Sequence, residues 1–240
     1  MKIALIGYGK MGKAIEEIAT ERGHDVSIKI DLDNLSEFNQ ANLQTVDAAI
    51  EFTGPHTAFQ NLMQCLSWGI PIVCGSTGWL DAFAEVEQRC KEKKGSFLYA
   101  SNFSVGVNIF FEINKKLAEI MATQSHYIPE IKEIHHTQKK DAPSGTAITL
   151  AEQLLSADSK YKGWTSGPSN QPDQLPILSE RIDPYPGWHE VIYRSEVDEI
   201  SLIHNAKSRK GFALGAVLAA EYIQDKSGIF TMKDVLGFGN

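Results

Sequence analysis

Thirteen consecutive residues, His135 to Ala147, carry the densest chemistry in the chain, reading HHTQKKDAPSGTA. They bring two imidazoles (His135, His136), two ammonium groups (Lys139, Lys140) and the Asp141 carboxylate into one short stretch. Pro143, Ser144 and Gly145 then lead into Ala147, Leu150, Ala151 and Leu154, the i, i+3, i+4, i+7 spacing of an amphipathic helix. Ser144 is a candidate N-cap. The N–H groups of Gly145 and Thr146 would then lack helical partners and suit a carboxylate, with the Thr146 hydroxyl beside them. Asp141 would either orient a lysine or fix the loop. Proton donors just ahead of an anion-holding helix start suit an anionic substrate that is protonated while bound.

Each of these residues also has a plainer reading. Adjacent side chains on an uninterrupted strand point to opposite faces, so His135 and His136 share a pocket only if the strand ends or bulges there. Otherwise one is a core histidine and the other a surface one. Lysines are usually solvated. No third ligand at useful spacing accompanies the histidines, so no metal is expected.

A second group of residues suits a dinucleotide. Lys2–Ile6 is a short apolar run, followed by Gly7-Tyr8-Gly9-Lys10-Met11-Gly12 and then a helical stripe of Ala14, Ile15, Ile18 and Ala19. Strand, G-x-G-x-x-G turn and helix in that order form a pyrophosphate cradle: one glycine turns tightly, one admits the ligand, one lets the helix pack. Asp31 ends the next expected strand, 19 positions after Gly12 (31 − 12), where a carboxylate accepts from ribose hydroxyls. Leu32 follows it, with no arginine to neutralise a 2′-phosphate, so NADH is expected in preference to NADPH. Gly75-Ser76-Thr77 and Ala100-Ser101-Asn102-Phe103 each follow an apolar run and are further candidate coenzyme contacts, with ordinary turns as the alternative.

The elements that must hold these groups alternate in the first hundred residues. Strands are expected at Val26–Asp31, Ala48–Thr53, Ile70–Cys74 and Phe97–Ala100, with helices around Thr57–Trp68 and Asp81–Lys93. After Asn102 the pattern changes: a long helix over Val105–Ala122, a strand over Tyr127–His136, the helix after Gly145, and loops with one strand over Lys160–Trp188. Alternating strands follow at His189–Ser195 and Glu199–Ala206, then a small-residue helix over Phe212–Ile223 and a last short helix capped by Thr231. The fold class is α/β: a Rossmann-type parallel-sheet domain plus a second α/β domain with a mixed, largely antiparallel sheet. Residues 1–103 and 209–240 are assigned to dinucleotide binding, and residues 104–208 to substrate binding and oligomerisation.

Composition narrows the function classes. A net charge of −7 over 240 residues argues against a nucleic-acid partner bound through bulk charge. Three cysteines without a CxxC pair signal neither a disulfide framework nor zinc. No apolar run approaches the roughly 18 residues of a membrane span, and the first residues do not read as a signal peptide. A cytoplasmic protein is expected.

With these residues in place, the chain resembles the 4-hydroxy-tetrahydrodipicolinate reductase (dihydrodipicolinate reductase) family over nearly its whole length. The most specific match is E-x-H-H-x-x-K-x-D-A-P-S-G-T-A, met by Glu133, His135, His136, Lys139, Asp141, Ala142, Pro143, Ser144, Gly145, Thr146 and Ala147. Phe52-Thr53 with Pro55, Gly75–Gly78 and Asn102–Asn108 support it. The resemblance implies reduction of a cyclic imine dicarboxylate with NADH or NADPH in lysine and diaminopimelate biosynthesis. It implies His135 as acid/base, Lys139 as proton donor, and His136, Gly145 and Thr146 at the substrate; Ser144, between them, is counted with the substrate-binding residues. It also implies a homotetramer built through the second domain. Asp31 to Ala48 is shorter than in many relatives, which leaves out a peripheral strand-helix unit. Two rival readings are another two-domain NAD-dependent reductase of imines or carbonyls, and a non-catalytic NAD-binding sensor; the sensor gives no reason for His135–Thr146.

Overall fold

A computed structural model describes residues 1–238. The chain runs β1 (Lys2–Ile6), α1 (Lys10–Glu21), β2 (Asp25–Ile30), α2 (Gln40–Leu43), β3 (Ala48–Glu51), α3 (Ala58–Trp68) and β4 (Ile72–Cys74). It continues through α4 (Phe83–Lys93), β5 (Ser96–Tyr99), α5 (Val105–Met121), β6 (Ile128–His135), α6 (Gly145–Ala157), β7 (Gly163–Ser166) and β8 (Gln174–Arg181). The last elements are β9 (Trp188–Arg194), β10 (Glu199–Asn205), α7 (Lys210–Ile223), β11 (Gly228–Phe230) and α8 (Met232–Leu236). Two compact units result: Met1–Val105 with the chain from Lys210 onward, and Gly106–Arg209.

The first unit is built on six parallel strands in the order β11-β5-β4-β3-β1-β2. Parallel sheets are covered on both faces, so their central strands are apolar throughout. All four residues of β3 are buried. Ile15, Ile18 and Ala19 of α1 and Ala216, Val217 and Ala220 of α7 fill one face, and Leu62, Leu66 and Val86 of α3 and α4 fill the other. Between β2 and β3 the described residues form only a 3-10 turn at Leu35–Glu37 and the four-residue α2. The shortened stretch thus leaves β2 at the sheet edge. Thr231 caps α8 in a reciprocal capping box with Asp234, as its position suggested.

The second unit holds a five-stranded mixed sheet ordered β10-β9-β6-β8-β7. β10/β9 and β9/β6 pair antiparallel, whereas β6/β8 and β8/β7 pair parallel. α5 and α6 pack through Phe110, Ala118, Leu150 and Leu154 onto Ile131, Ile177 and Val191. β7 lies in a stretch expected to be loop; four residues, GWTS, carry too little alternation to announce a strand, and pairing with β8 defines it. β6 alternates cleanly, with Pro129, Ile131, Glu133 and His135 buried and their neighbours less so. That alternation carries an apolar row directly into two ionisable residues. No helix among the described residues is long and apolar enough to cross a membrane.

Candidate active site

In the first unit the strand–turn–helix at Gly7–Gly12 lines a cleft of about 390 Å³, together with Ile30, Asp31, Leu32 and Phe52–Thr57. Gly7 adopts φ +94°, and a Cβ there would sit 2.3 Å from the Phe52 carbonyl oxygen, so only glycine fits the turn. At Gly9 a Cβ would meet no atom within 4 Å, which leaves room for a ligand against the backbone. Gly9 is also the N-cap of α1 and supplies no side chain to cap its first-turn N–H groups. Open space and uncapped N–H groups at a helix start fit a pyrophosphate. Asp31 lines the same cleft; its Oδ1 accepts from the Leu32 N–H at 2.9 Å, and Leu32 is 85% exposed.

The other residues of the motif differ in their surroundings. The Tyr8 hydroxyl donates to Glu16 of α1, and Lys29 lies over the ring at 5.3 Å. Lys10 opens α1 in an exposed position, Met11 packs partly buried against the core, and Gly12 is buried. At Gly75 a Cβ would fall 2.1 Å from the Phe52 ring, so internal packing alone demands glycine there. Ser76 is buried and donates its hydroxyl to Glu51 at 3.2 Å, whereas Thr77 is exposed. After β5, the Ala100 N–H donates to the Cys74 carbonyl at 3.3 Å and Ser101 is exposed. Asn102 Oδ1 accepts from the Ser104 N–H at 2.9 Å, and the Phe103 ring packs 5.6 Å from that of Phe52.

In the second unit β6 ends at His135, so His136 stands beyond the strand and is free of its alternation. Glu133, on the same face as His135, is fully buried. Its Oε1 accepts from Arg181 Nη2 at 3.0 Å, and both its oxygens lie 3.1 Å from the Ser144 N–H. His135 Nδ1 lies 3.3 Å from Glu133 Oε2, at an angle short of an aligned hydrogen bond. Burial pushes the Glu133 carboxyl up, but the polar groups around it, His135, Ser144, Ser179 and Arg181, more than reverse that and hold it well below the usual carboxylate range. His189 packs edge-on to His135, with ring centroids 5.0 Å apart, and its Nε2 lies 3.1 Å from Ser144 Oγ. Burial, with His135 beside it, pushes His189 down to about 3, so it is neutral at physiological pH.

The loop that follows is tied at several points. Lys139 Nζ donates to both oxygens of Asp141 at 2.9 and 2.8 Å, so Asp141 orients the lysine. Arg181 Nη2 also donates to the Asp141 carbonyl at 2.5 Å, and Asp183 accepts from the Thr137 hydroxyl at 2.7 Å. Ser144 is the N-cap of α6: its Oγ accepts from the Ala147 N–H at 3.3 Å, and its hydroxyl is buried beside His189 rather than turned outward. Gly145 is exposed, and a Cβ there would meet nothing within 4 Å. The Gly145 and Thr146 N–H groups are the first two of α6 and precede the capped one at Ala147.

Arg181 and His189 had no local signal, because each sits alone in its own strand. Register brings them in: His135 pairs with Arg181 across β8, and Glu133 pairs with His189 across β9. The β6 alternation alone could have marked Glu133 as inward. The two histidines gathered with that carboxylate are thus His135 and His189, not the adjacent pair; the three ligand atoms lie within 4.8 Å of one another. Arg181 already supplies the cation at this carboxylate.

A parallel sheet with a glycine-turn cleft, joined in one chain to a mixed sheet bearing buried ionisable groups beside a helix start, is the build of a nucleotide-dependent oxidoreductase. Models of the family described as dihydrodipicolinate reductase match in two parts, its N-terminus over residues 1–103 and its C-terminus over 106–236. The chain is 52% identical over 236 residues to a 4-hydroxy-tetrahydrodipicolinate reductase of Christiangramia forsetii, covering 98% of both chains. It is 34% identical to the enzyme of that name from Neisseria gonorrhoeae, covering 94% of this chain and 85% of that one. A dipicolinate-bound dihydrodipicolinate reductase from Paenisporosarcina sp. TG-14 shares the fold, with a TM-score of 0.80 at 23% identity over 96% of this chain and 97% of that one. The chain belongs to the dihydrodipicolinate reductase family of oxidoreductases, and residues 1–103 match that family's nucleotide-binding N-terminal domain.

Proposed function

We propose that the protein reduces 4-hydroxy-tetrahydrodipicolinate, through its dehydrated cyclic imine, to tetrahydrodipicolinate, in lysine and diaminopimelate biosynthesis. The observation that carries this reading is the buried Glu133 carboxylate, which sits beside His135 and accepts from the Ser144 N–H at the head of α6, with Lys139 held by Asp141 in the loop between them. When bound, a reduced nicotinamide dinucleotide supplies the hydride. The reaction then needs one proton and a cation where negative charge develops toward the ring nitrogen. Lys139, oriented by Asp141, gives that proton, and His135 is the acid/base beside it. Gly145 and Thr146 hold one substrate carboxylate, and His136 contacts the other. Ser144 acts from behind, by fixing the start of α6.

Residues 1–103 and those from 209 onward serve the coenzyme, whose contacts are Gly7–Gly12, Asp31, Gly75–Thr77 and Ala100–Phe103; residues 104–208 serve substrate and assembly. The last two positions, Gly239 and Asn240, lie outside the described residues. NADH is the preferred coenzyme: the Asp31 carboxylate lines the cleft and apolar Leu32 follows it. No metal takes part, since a second cation at Glu133 would face the Arg181 guanidinium. A homotetramer is supported by apolar side chains exposed along edge strand β10, where Ile200 and Ile203 are 38% and 52% exposed. Light scattering reads that state directly. The place of work is the cytoplasm, and the partner is a small cyclic dicarboxylate, with neither nucleic acid nor membrane.

The test is loss of reduced-nicotinamide absorbance with substrate generated in situ from pyruvate and aspartate semialdehyde. Turnover that requires both precursors is expected. Coenzyme binding without such turnover would return the protein to another imine reductase or to a sensor.

A further inference from the structure

Beneath the coenzyme cleft lies a second fully buried carboxylate, Glu51, at the end of β3. No local motif marks it. Its Oε1 accepts from the Thr53 N–H at 2.9 Å, from the Thr53 hydroxyl, and from the Ser76 hydroxyl at 3.2 Å; its Oε2 accepts from the Cys74 thiol at 3.1 Å. These four bonds come from the loop that follows β3 and from β4 and its loop. Above it, Thr53, Thr57 and Asn61 line the cleft.

A hydroxyl has one proton to give and two lone pairs to accept with. The single proton of Thr53 goes to Glu51. In the 2.7 Å contact between the Thr53 and Thr57 hydroxyls, Thr57 must therefore be the donor. Asn61 Nδ2, at 3.4 Å, takes the other lone pair of Thr53. Thr57 has then spent its own proton inward and has acceptor capacity left for the cleft.

We propose that Glu51 is a positioning residue that fixes the direction of this hydrogen-bond chain, so that Thr57 offers an acceptor to coenzyme ribose hydroxyls and no donor to phosphate. The inference rests on the coenzyme reading given above. It makes this wall of the cleft match Asp31, whose carboxylate also only accepts. The pyrophosphate is left to the N–H groups at the head of α1.

The test is fluorescence titration of the full chain with NADH, together with melting temperature without ligand and the coenzyme KM against kcat. Thr57→Val keeps the shape of the exposed side chain and removes the hydroxyl. It should weaken NADH about three- to tenfold, the usual worth of one hydrogen bond, raising coenzyme KM while leaving kcat and melting temperature near wild type. Thr57→Ser should restore binding. Glu51→Met removes the acceptor and should weaken NADH comparably, whereas Glu51→Gln, which keeps one accepting oxygen, should rescue it. A purely structural role would lower melting temperature without this split between acceptor-keeping and acceptor-removing variants. Thr57→Val binding NADH like wild type overturns the proposal, and this pair decides the matter even if Glu51→Met fails to fold. Wild-type protein that binds neither NADH nor NADPH overturns the coenzyme reading as well, a different outcome in the same titration.

Discussion

Around Gly7 and Gly9 the cleft is lined by backbone, apolar side chains and neutral hydroxyls, with Asp31 and His56 as its titratable groups. At the head of α6, by contrast, Glu133, His135 and His189 are buried together, with Arg181 bonded to Glu133. The first arrangement suits a ligand held by shape and by the direction of hydrogen bonds. The second keeps ionisable groups out of water, where a proton can be placed at a defined atom but where loss of one member strands the others. Substitutions in the cleft should therefore act on coenzyme affinity, and those in the buried cluster on turnover and stability.

The sharpest separation should come from Lys139→Met. Turnover should fall by about 10²–10⁴, the usual worth of general acid assistance, while NADH affinity stays at the wild-type value. Wild-type-like turnover would remove Lys139 as the proton donor.

Next in size is Glu133→Leu. Arg181 would keep its half-buried charge without the carboxylate, and the Ser144 N–H would lose its acceptor. Breaking a buried pair from one side costs about 3–5 kcal/mol, read as a lowered urea midpoint. An unchanged midpoint would mean that water or another group replaces the carboxylate.

Gly145→Val tests the anion site more gently. A Cβ there meets no protein atom within 4 Å, so the fold should tolerate the change. Pyridine-2,6-dicarboxylate, a planar ring with both carboxylates, should lose about 1.5–3 kcal/mol of affinity as its charge-assisted bonds are crowded out. NADH affinity is the control, and equal inhibitor affinity in both proteins would dissolve the helix-start carboxylate site.

Acid should find the buried cluster first. His189 is held at about 3 when folded against an ordinary value of 6.5. The unfolded chain therefore binds the extra proton, and stability falls as pH drops from about 6.5 toward 3, by at most about 1.4 kcal/mol per pH unit. Glu133, held low, adds stability above its ordinary value of 4.5 that is lost as pH falls below it. Urea midpoints at several pH values should show the upper part of this slope, and His189→Gln should flatten it. An equal slope in the variant would move the acid sensitivity elsewhere.

The smallest expected difference lies between coenzymes. A 2′-phosphate beside the Asp31 carboxylate brings like charges together, worth about 1 kcal/mol at 4 Å where water screens them fully, so kcat/KM should favour NADH. A clear preference for NADPH would show that a lysine such as Lys10 outweighs Asp31.

By itself the sequence determined what short-range rules govern. Strand-glycine turn-helix at Lys2–Ala19 specified a parallel sheet, because hydrophobic periodicity and a φ that only glycine tolerates are local properties. Ser144 as a helix cap, Thr231 as another, and the inward alternation of β6 were legible for the same reason. Tertiary structure decided which distant residues meet. Arg181 and His189 reach Glu133 only through the register of β8 and β9, and Gly75 is glycine because the Phe52 ring lies against it. It also turned Ser144 inward and paired His135 with His189 rather than with its neighbour His136. Such contacts depend on strand pairing between residues tens of positions apart, and no local pattern of side chains encodes that register.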